Sequence, residues 1–204
     1  MDRSVVIVVC HPDETSLTHA VAANVIAQVT SDGLTCTVQD LYRDGYDPVL
    51  AKEDLRRKGA FDPLTVRYGH ELERSAGVVI VHPDWWGMPP ALLKGWMDKV
   101  LCRGVAYDWE ERGNGSLPLP LLSHLWGVVA ITTDAPDAAP LTPLRTIWEE
   151  HVAGFCGICP VRTEVLAGVR TSTHAQRVLF MNHVANVVTT LHENTTKGGS
   201  CGTA

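Results

Sequence analysis

The chain has 204 residues, with 45% hydrophobic and 20% charged side chains and a formal net charge of −6. That length fits one domain with a sizeable core, and the acidic balance argues against a nucleic acid or an anionic membrane surface as partner. No apolar run reaches the roughly 20 residues that span a bilayer. Met1-Asp2-Arg3 leads directly into a strand pattern, without a cationic leader ahead of an apolar stretch, so the expected location is the cytoplasm.

Arg3 to Cys10 (RSVVIVVC) is a continuous apolar run of strand length. A loop from His11 leads into a periodic helix over about Leu17 to Thr30, which Ser31-Asp32-Gly33 ends. Leu34 to Leu41 alternates as a second strand, and Asp47-Pro48 marks a turn in the polar stretch after it. A short helix is expected over Val66 to Ser75. Val78 to Val81 reads as a third, buried strand ending at His82-Pro83, and Ala91 to Leu101 as the helix after it.

Glu110 to Pro120 is rich in Gly, Pro and charge and reads as a loop. Trp126 to Thr132 is a fourth buried strand, Asp134 to Pro143 a second long loop, Leu144 to Phe155 a helix and Val161 to Leu166 a fifth strand. A long last helix runs from Thr173 to Glu193, with Ser172 or Thr173 as its cap. Residues 194–204 are small and polar and read as a disordered tail. Strands alternating with helices predict an α/β fold. The expected architecture is a flavodoxin-like, doubly wound parallel sheet of five strands, with helices on both faces, in a single domain over 3–193.

Six cysteines occur, and Cys156-Gly-Ile-Cys159 has redox-motif or zinc-ligand spacing. Without a second such pair a zinc site is not expected, and buried thiols are the favoured reading. No other metal site is expected.

Two adjacent indoles, Trp85 and Trp86, follow the third strand in a Gly/Pro-rich turn. In open α/β sheets ligands bind outside the carboxyl ends of the strands, so the pair suggests a flat aromatic ligand. The loop after the first strand, HPDETSLT, opens a helix whose first N–H groups favour phosphate. His11, Thr15, Ser16 and Thr18 add polar groups there. The same residues are equally readable as a helix cap and a strand terminator. The loop has neither G-x-G-x-x-G nor G-x-x-x-x-G-K.

His11-Pro12-Asp13 followed by Thr15-Ser16-Leu17 resembles the flavin phosphate loop of the NAD(P)H dehydrogenase (quinone) family. Pro83 to Trp96 (PDWWGMPPALLKGW) is similar to that family's P-x-W-W…P-A-x-L-K-G-W segment, and Gly104 to Trp109 resembles its G-x-A-Y stretch. Ile131-Thr132-Thr133 lies where the family's fourth strand runs into a loop over the flavin. The resemblance covers roughly residues 3 to 190.

It implies a flavodoxin-like flavoprotein oxidoreductase. His11, Thr15, Ser16, Leu17 and Thr18 would hold the flavin phosphate. Pro83, Asp84, Trp85 and Trp86 would line one side of the ring, and Thr132 and Thr133 the other edge. The cofactor would be FAD, with FMN as the alternative, and NAD(P)H would be the electron donor. A quinone or similar aromatic acceptor would follow in ping-pong order, with hydride passing through flavin N5 and no side chain assigned a catalytic role. Family enzymes are usually homodimers with the site at the interface. Trp86, Tyr107 and Trp109 would then contact substrate, though Tyr107 and Trp109 also suit ordinary core or interface packing. One other role carries over from the family, an ancillary subunit of a membrane transporter; the Asp134 to Pro143 loop suggests instead a dedicated tailoring reductase of secondary metabolism, shaped for one substrate.

Three features depart from the pattern. Asp84 stands where the family commonly has an apolar residue; pointing inward it would oppose the reduced flavin's negative charge and lower its potential, and it is expected instead to face solvent or cap its loop. Asp134-Ala135-Pro136 replaces a Gly-Gly after the paired threonines. Neither Tyr nor His occurs between Asp134 and Arg145, where quinone reductases of the family carry a Tyr/His pair for charge relay. Gly95 and Trp96 are expected to pack, and Lys94 to be a surface charge.

Overall fold

A computed structural model of the chain describes residues 4–55, 62–112, 115–136 and 142–196. Its centre is a parallel sheet of β1 (Ser4–Val9), β2 (Thr35–Asp40), β3 (Gly77–Pro83), β6 (Trp126–Thr132) and β7 (Val161–Leu166), in the order β2-β1-β3-β6-β7. This is the expected doubly wound order, with its reversal point between β1 and β3.

The apolar runs are continuous because the central strands are covered on both faces. Val5, Ile7 and Val9 of β1 enter one core cluster with Val79, Val81, Val128 and Ala130. Val6, Val8 and Cys10 enter the other with Val78, Ile80, Val129 and Ile131.

On the first face α1 (Leu17–Ser31) buries Val21, Ala22, Val25 and Val29, and α6 (His174–Thr196) buries Phe180, Val184, Val188 and Leu191. The Asn24 amide of α1 donates to the Met181 carbonyl of α6 at 3.0 Å. A reciprocal cap starts α6: Gln176 N–H donates to Thr173 Oγ1, and Thr173 N–H donates to Gln176 Oε1.

The second face carries α2 (Pro63–Arg74) and α3 (Ala91–Val100). The Lys94-Gly95-Trp96 stretch has a structural role there. A Cβ on Gly95 would lie 2.2 Å from Pro48 Cβ, so only glycine lets the Asp47-Pro48 turn close onto α3. Trp96 is buried and donates from Nε1 to Gln39 Oε1 at 2.9 Å. Lys99 holds the Asp47 carbonyl at 2.9 Å. Lys94 pairs on the surface with Asp98.

Four elements differ from expectation. The loop read over Glu110 to Pro120 contains an antiparallel hairpin, β4 (Tyr107–Arg112) with β5 (Gly115–Pro120). Pro118 and Pro120 obscured it. Proline is tolerated on edge strands, and both strands of a two-stranded ribbon are edges. The single helix read over Leu144 to Phe155 is α4 (Thr142–Arg145), a π-helical stretch Thr146–Ala153, and α5 (Gly154–Cys156). β3 continues through His82 and Pro83, which pair with Ile131 and Thr132 of β6. Helix α6 continues through Asn194–Thr196, the first residues of the expected tail, and 197–204 lie outside the described residues.

Candidate functional site

Three loops meet at the carboxyl ends of β1, β3 and β6. The first joins β1 to α1. Ser16 caps the helix, accepting from His19 N–H at 3.3 Å. Its hydroxyl lies 3.1 Å from His19 Nδ1, and His19 Nε2 lies 3.1 Å from the buried carboxylate of Asp40. Because the carboxylate can only accept, His19 donates to it from a protonated Nε2. Leu17 and Thr18, at the first two helical positions, have N–H groups without intrahelical acceptors. The Thr18 side chain is itself buried.

Asp13 closes this loop from within. Its Oδ1 accepts from Thr15 Oγ1 at 2.7 Å and Thr15 N–H at 2.8 Å. Burial is absent there, and the Thr15 hydroxyl and then its N–H hold the carboxyl below its ordinary range. A carboxylate thus occupies donors of the kind a phosphate oxygen would use. A cavity of about 440 Å³ opens alongside, lined by Thr15, Ser16, His19, Ala23, Val38 and Asp40.

The second loop carries the tryptophans. Trp85 and Met88 exchange backbone hydrogen bonds at 3.1 and 3.2 Å, closing a two-residue turn. Trp86 (φ +62°) and Gly87 (φ +73°) both have positive φ, the requirement of a type I′ turn. For a tryptophan this conformation costs roughly 1–3 kcal/mol. The strain supports no packing within the chain, since Trp86 is 100% exposed. Trp85 is 38% exposed, and its ring lies 6.2 Å from that of His11. That contact joins the first loop to the second.

Asp84 joins the second loop to the third. Its N–H donates to the Thr132 carbonyl at 2.8 Å. Its Oδ1 accepts from Gly87 N–H at 2.8 Å, and its Oδ2 from Thr133 Oγ1 at 2.9 Å. Asp84 therefore caps its turn, one of the two placements expected, and also reaches across to the strand beyond. Thr132 and Thr133 are buried. The segment after them is held in turn, with Arg170 Nε donating to Asp134 Oδ2 at 2.7 Å.

Behind the second loop lies a pair that sequence reasoning missed. His82 is fully buried. Trp148, on the π-helical stretch, donates from Nε1 to His82 Nε2 at 3.0 Å, and His82 Nδ1 lies 2.8 Å from the Pro83 carbonyl. An Nε2 that accepts must be unprotonated, so the ring is neutral and Nδ1–H donates to Pro83. Desolvation by burial pushes its pKa down to about 4. Pro83, the last residue of β3, is also buried.

Tyr107 and Trp109 stand apart, on the hairpin. Their rings are 6.0 Å apart, and Tyr107 meets Phe155 edge-on at 4.9 Å. Among the described residues neither Tyr107 nor Trp109 makes a ring contact with Trp85 or Trp86. Trp109, Phe155, Leu117 and Leu119 are all exposed. In the CxxC motif Cys156 is a free, buried thiol whose pKa burial pushes up to about 11, the opposite of an activated thiolate.

A family defined by a flavodoxin-like fold matches residues 3–187. The chain belongs to that family. It is 26% identical to the rat ribosyldihydronicotinamide dehydrogenase [quinone] over an alignment of 204 residues, covering 88% of this chain and 87% of that protein. The expected likeness to NAD(P)H dehydrogenase (quinone) enzymes is thus borne out. Among solved structures, an NAD(P)H:quinone oxidoreductase from Methanothermobacter marburgensis superposes with a TM-score of 0.76 at 22% identity, covering 92% of this chain and 98% of that one. An FMN-dependent NADH-azoreductase from Bacillus anthracis, in complex with FMN, gives 0.74 at 16% identity, covering 94% and 100%. At those identities the structures attest to the flavodoxin-like fold alone. No described helix is long and apolar enough to cross a membrane.

Proposed function

We propose that the three-loop crevice binds a flavin and that the protein is a flavin-dependent NAD(P)H oxidoreductase acting on quinones or similar flat electrophiles. The observation that carries this reading is the convergence of the loops. A helix N-terminus with open N–H groups is joined by the His11–Trp85 contact to a tryptophan turn, and that turn is joined by Asp84 to Thr133. The donor set suits the group. Leu17 and Thr18 offer N–H and His11 a ring nitrogen for phosphate oxygens, and the Thr15 and Ser16 hydroxyls would join them on leaving Asp13 and His19.

When bound, the flavin supplies hydride exchange at N5, which no side chain of the crevice can. The chain contributes position and an apolar wall. Trp85 and Trp86 bound the stacking face, Thr132 and Thr133 the opposite edge, and one cleft serves donor and acceptor in turn. FAD is favoured over FMN, because the cavity beside the phosphate loop has room for a second nucleotide half. Trp109 and Phe155, both exposed and both in ring contact with Tyr107, form an apolar surface that suits a second copy of the chain. A homodimer would bring Tyr107 and Trp109 to a shared cleft. The reading places the protein in the cytoplasm.

Steady-state kinetics test the activity. NAD(P)H oxidation by the flavin-loaded protein with a quinone should give parallel double-reciprocal lines. Absence of turnover with quinones, azo dyes and nitroaromatics alike would contradict the proposal.

A further inference from the structure

We infer that Asp84 is a positioning residue with a second, electrostatic role: it locks the tryptophan turn against the Thr133 strand end and places a carboxylate at the rim of the redox crevice. The inference rests on the flavin reading above.

The geometry assigns the first part. A two-residue turn with a tryptophan at positive φ is a poor intrinsic choice, since Asn-Gly or Asp-Gly suits such turns better. One flanking hydrogen-bonded pair closes it, between Trp85 and Met88. Asp84 adds what that pair lacks. Its Oδ1 holds the N–H of Gly87, the second central residue, and its Oδ2 holds Thr133 Oγ1. Each carboxylate oxygen thus serves a different loop. An apolar residue there, as the resembling family commonly has, offers neither bond. The loop behind is fixed as well, since the His82 Nδ1–H bond to Pro83 and the Asp84 N–H bond to Thr132 immobilise the peptide between them. The Asp84 side chain therefore leaves a rigid base and directs an exposed, strained indole outward.

The second part follows from charge. No cation pairs with Asp84 among the described residues; both partners are neutral donors. Its charge is left uncompensated at the edge where a ring between Trp85 and Thr133 would lie. Reduction adds negative charge to a flavin, and a nearby carboxylate opposes it. The crevice is thereby biased toward a low-potential, strongly donating flavin. Asp84 also occupies Gly87 N–H and the Thr133 hydroxyl, so neither is free to hydrogen-bond an acceptor. Selection of acceptors would then favour stacking area on Trp86 over polar complementarity.

Two variants separate the parts. Asp84→Asn keeps an oxygen for Gly87 N–H and removes the charge; Asp84→Leu removes both. With flavin bound, both should favour reduced over oxidised flavin by about tenfold relative to the parent, a rise of about 30 mV for a two-electron couple. Hydrogen exchange at Gly87 N–H, read in flavin-free protein, should accelerate at least tenfold in Asp84→Leu and stay near the parent rate in Asp84→Asn. Unchanged potentials in both variants overturn the electrostatic role. Unchanged Gly87 exchange in Asp84→Leu overturns the lock. A parent protein that takes up neither FAD nor FMN sinks the flavin reading and the electrostatic role with it, while the exchange measurement still decides the lock.

Discussion

Trp86 and Trp96 stand ten residues apart in one tryptophan-rich stretch, and the fold treats them oppositely. Trp96 is buried on α3, and its one polar atom is satisfied by Gln39. Trp86 is wholly exposed and strained in its backbone, and the Asp84 carboxylate holds the N–H of the next residue, Gly87. The same residue type serves packing at one position and, in the proposed site, ligand recognition at the other. Environment separates the two: a satisfied, dry indole stabilises, and an exposed indole on a costly turn is what the proposed ligand site would use.

The largest effect that would break this contrast is at Trp96. Trp96→Ala should cost about 3–5 kcal/mol in urea unfolding, with Gln39 left without its indole donor. A loss under about 1 kcal/mol would show that α3 does not depend on it.

His82 gives the next largest effect, through pH. Its pKa falls to about 4 in the fold, from an ordinary value near 6.5. The unfolded chain therefore takes up a proton between those values while the folded chain does not. The His82 contribution is intact above pH 6.5 and is lost as pH falls toward 4. That difference corresponds to on the order of 3 kcal/mol. Stability of the parent measured across this window should fall more steeply than that of His82→Phe; equal slopes would remove His82 as the cause.

Gly95→Ala ranks third. Its new Cβ would meet Pro48, and overpacking of this kind costs about 1–3 kcal/mol. Trp86→Gly should have the opposite sign. Relief of the left-handed strain should gain roughly 1 kcal/mol, while KM for a quinone rises several-fold. Stability and activity moving in opposite directions at Trp86, and stability alone falling at Gly95, would sharpen the distinction between the two ends of the stretch.

Legibility in the sequence followed the range of the interactions. β6 was readable to the residue because an apolar run bounded by polar turns needs only local information, and β7 because its short mixed run VRTEVL is bounded by Pro160 and Gly168. The hairpin was hidden because Pro118 and Pro120 look like loop residues until both strands are known to be edges. The π-helical stretch leaves no local trace, since its residues suit an ordinary helix. In the crevice, the first loop and the paired indoles were visible as motifs. The bonds that organise them were not: His82 to Trp148 and Asp84 to Thr133 join residues far apart in the chain. Asp84 was nonetheless conspicuous as a departure from the family pattern, which is the kind of signal a long-range contact can leave.

The central claim is that the three loops form a flavin site, and flavin stoichiometry tests it most directly. Protein purified, incubated with FAD and with FMN in turn and then desalted should be yellow. It should release about one flavin per chain on denaturation, and NADH or NADPH should bleach the native protein under anaerobic conditions. A folded protein that stays colourless with both flavins would contradict the account.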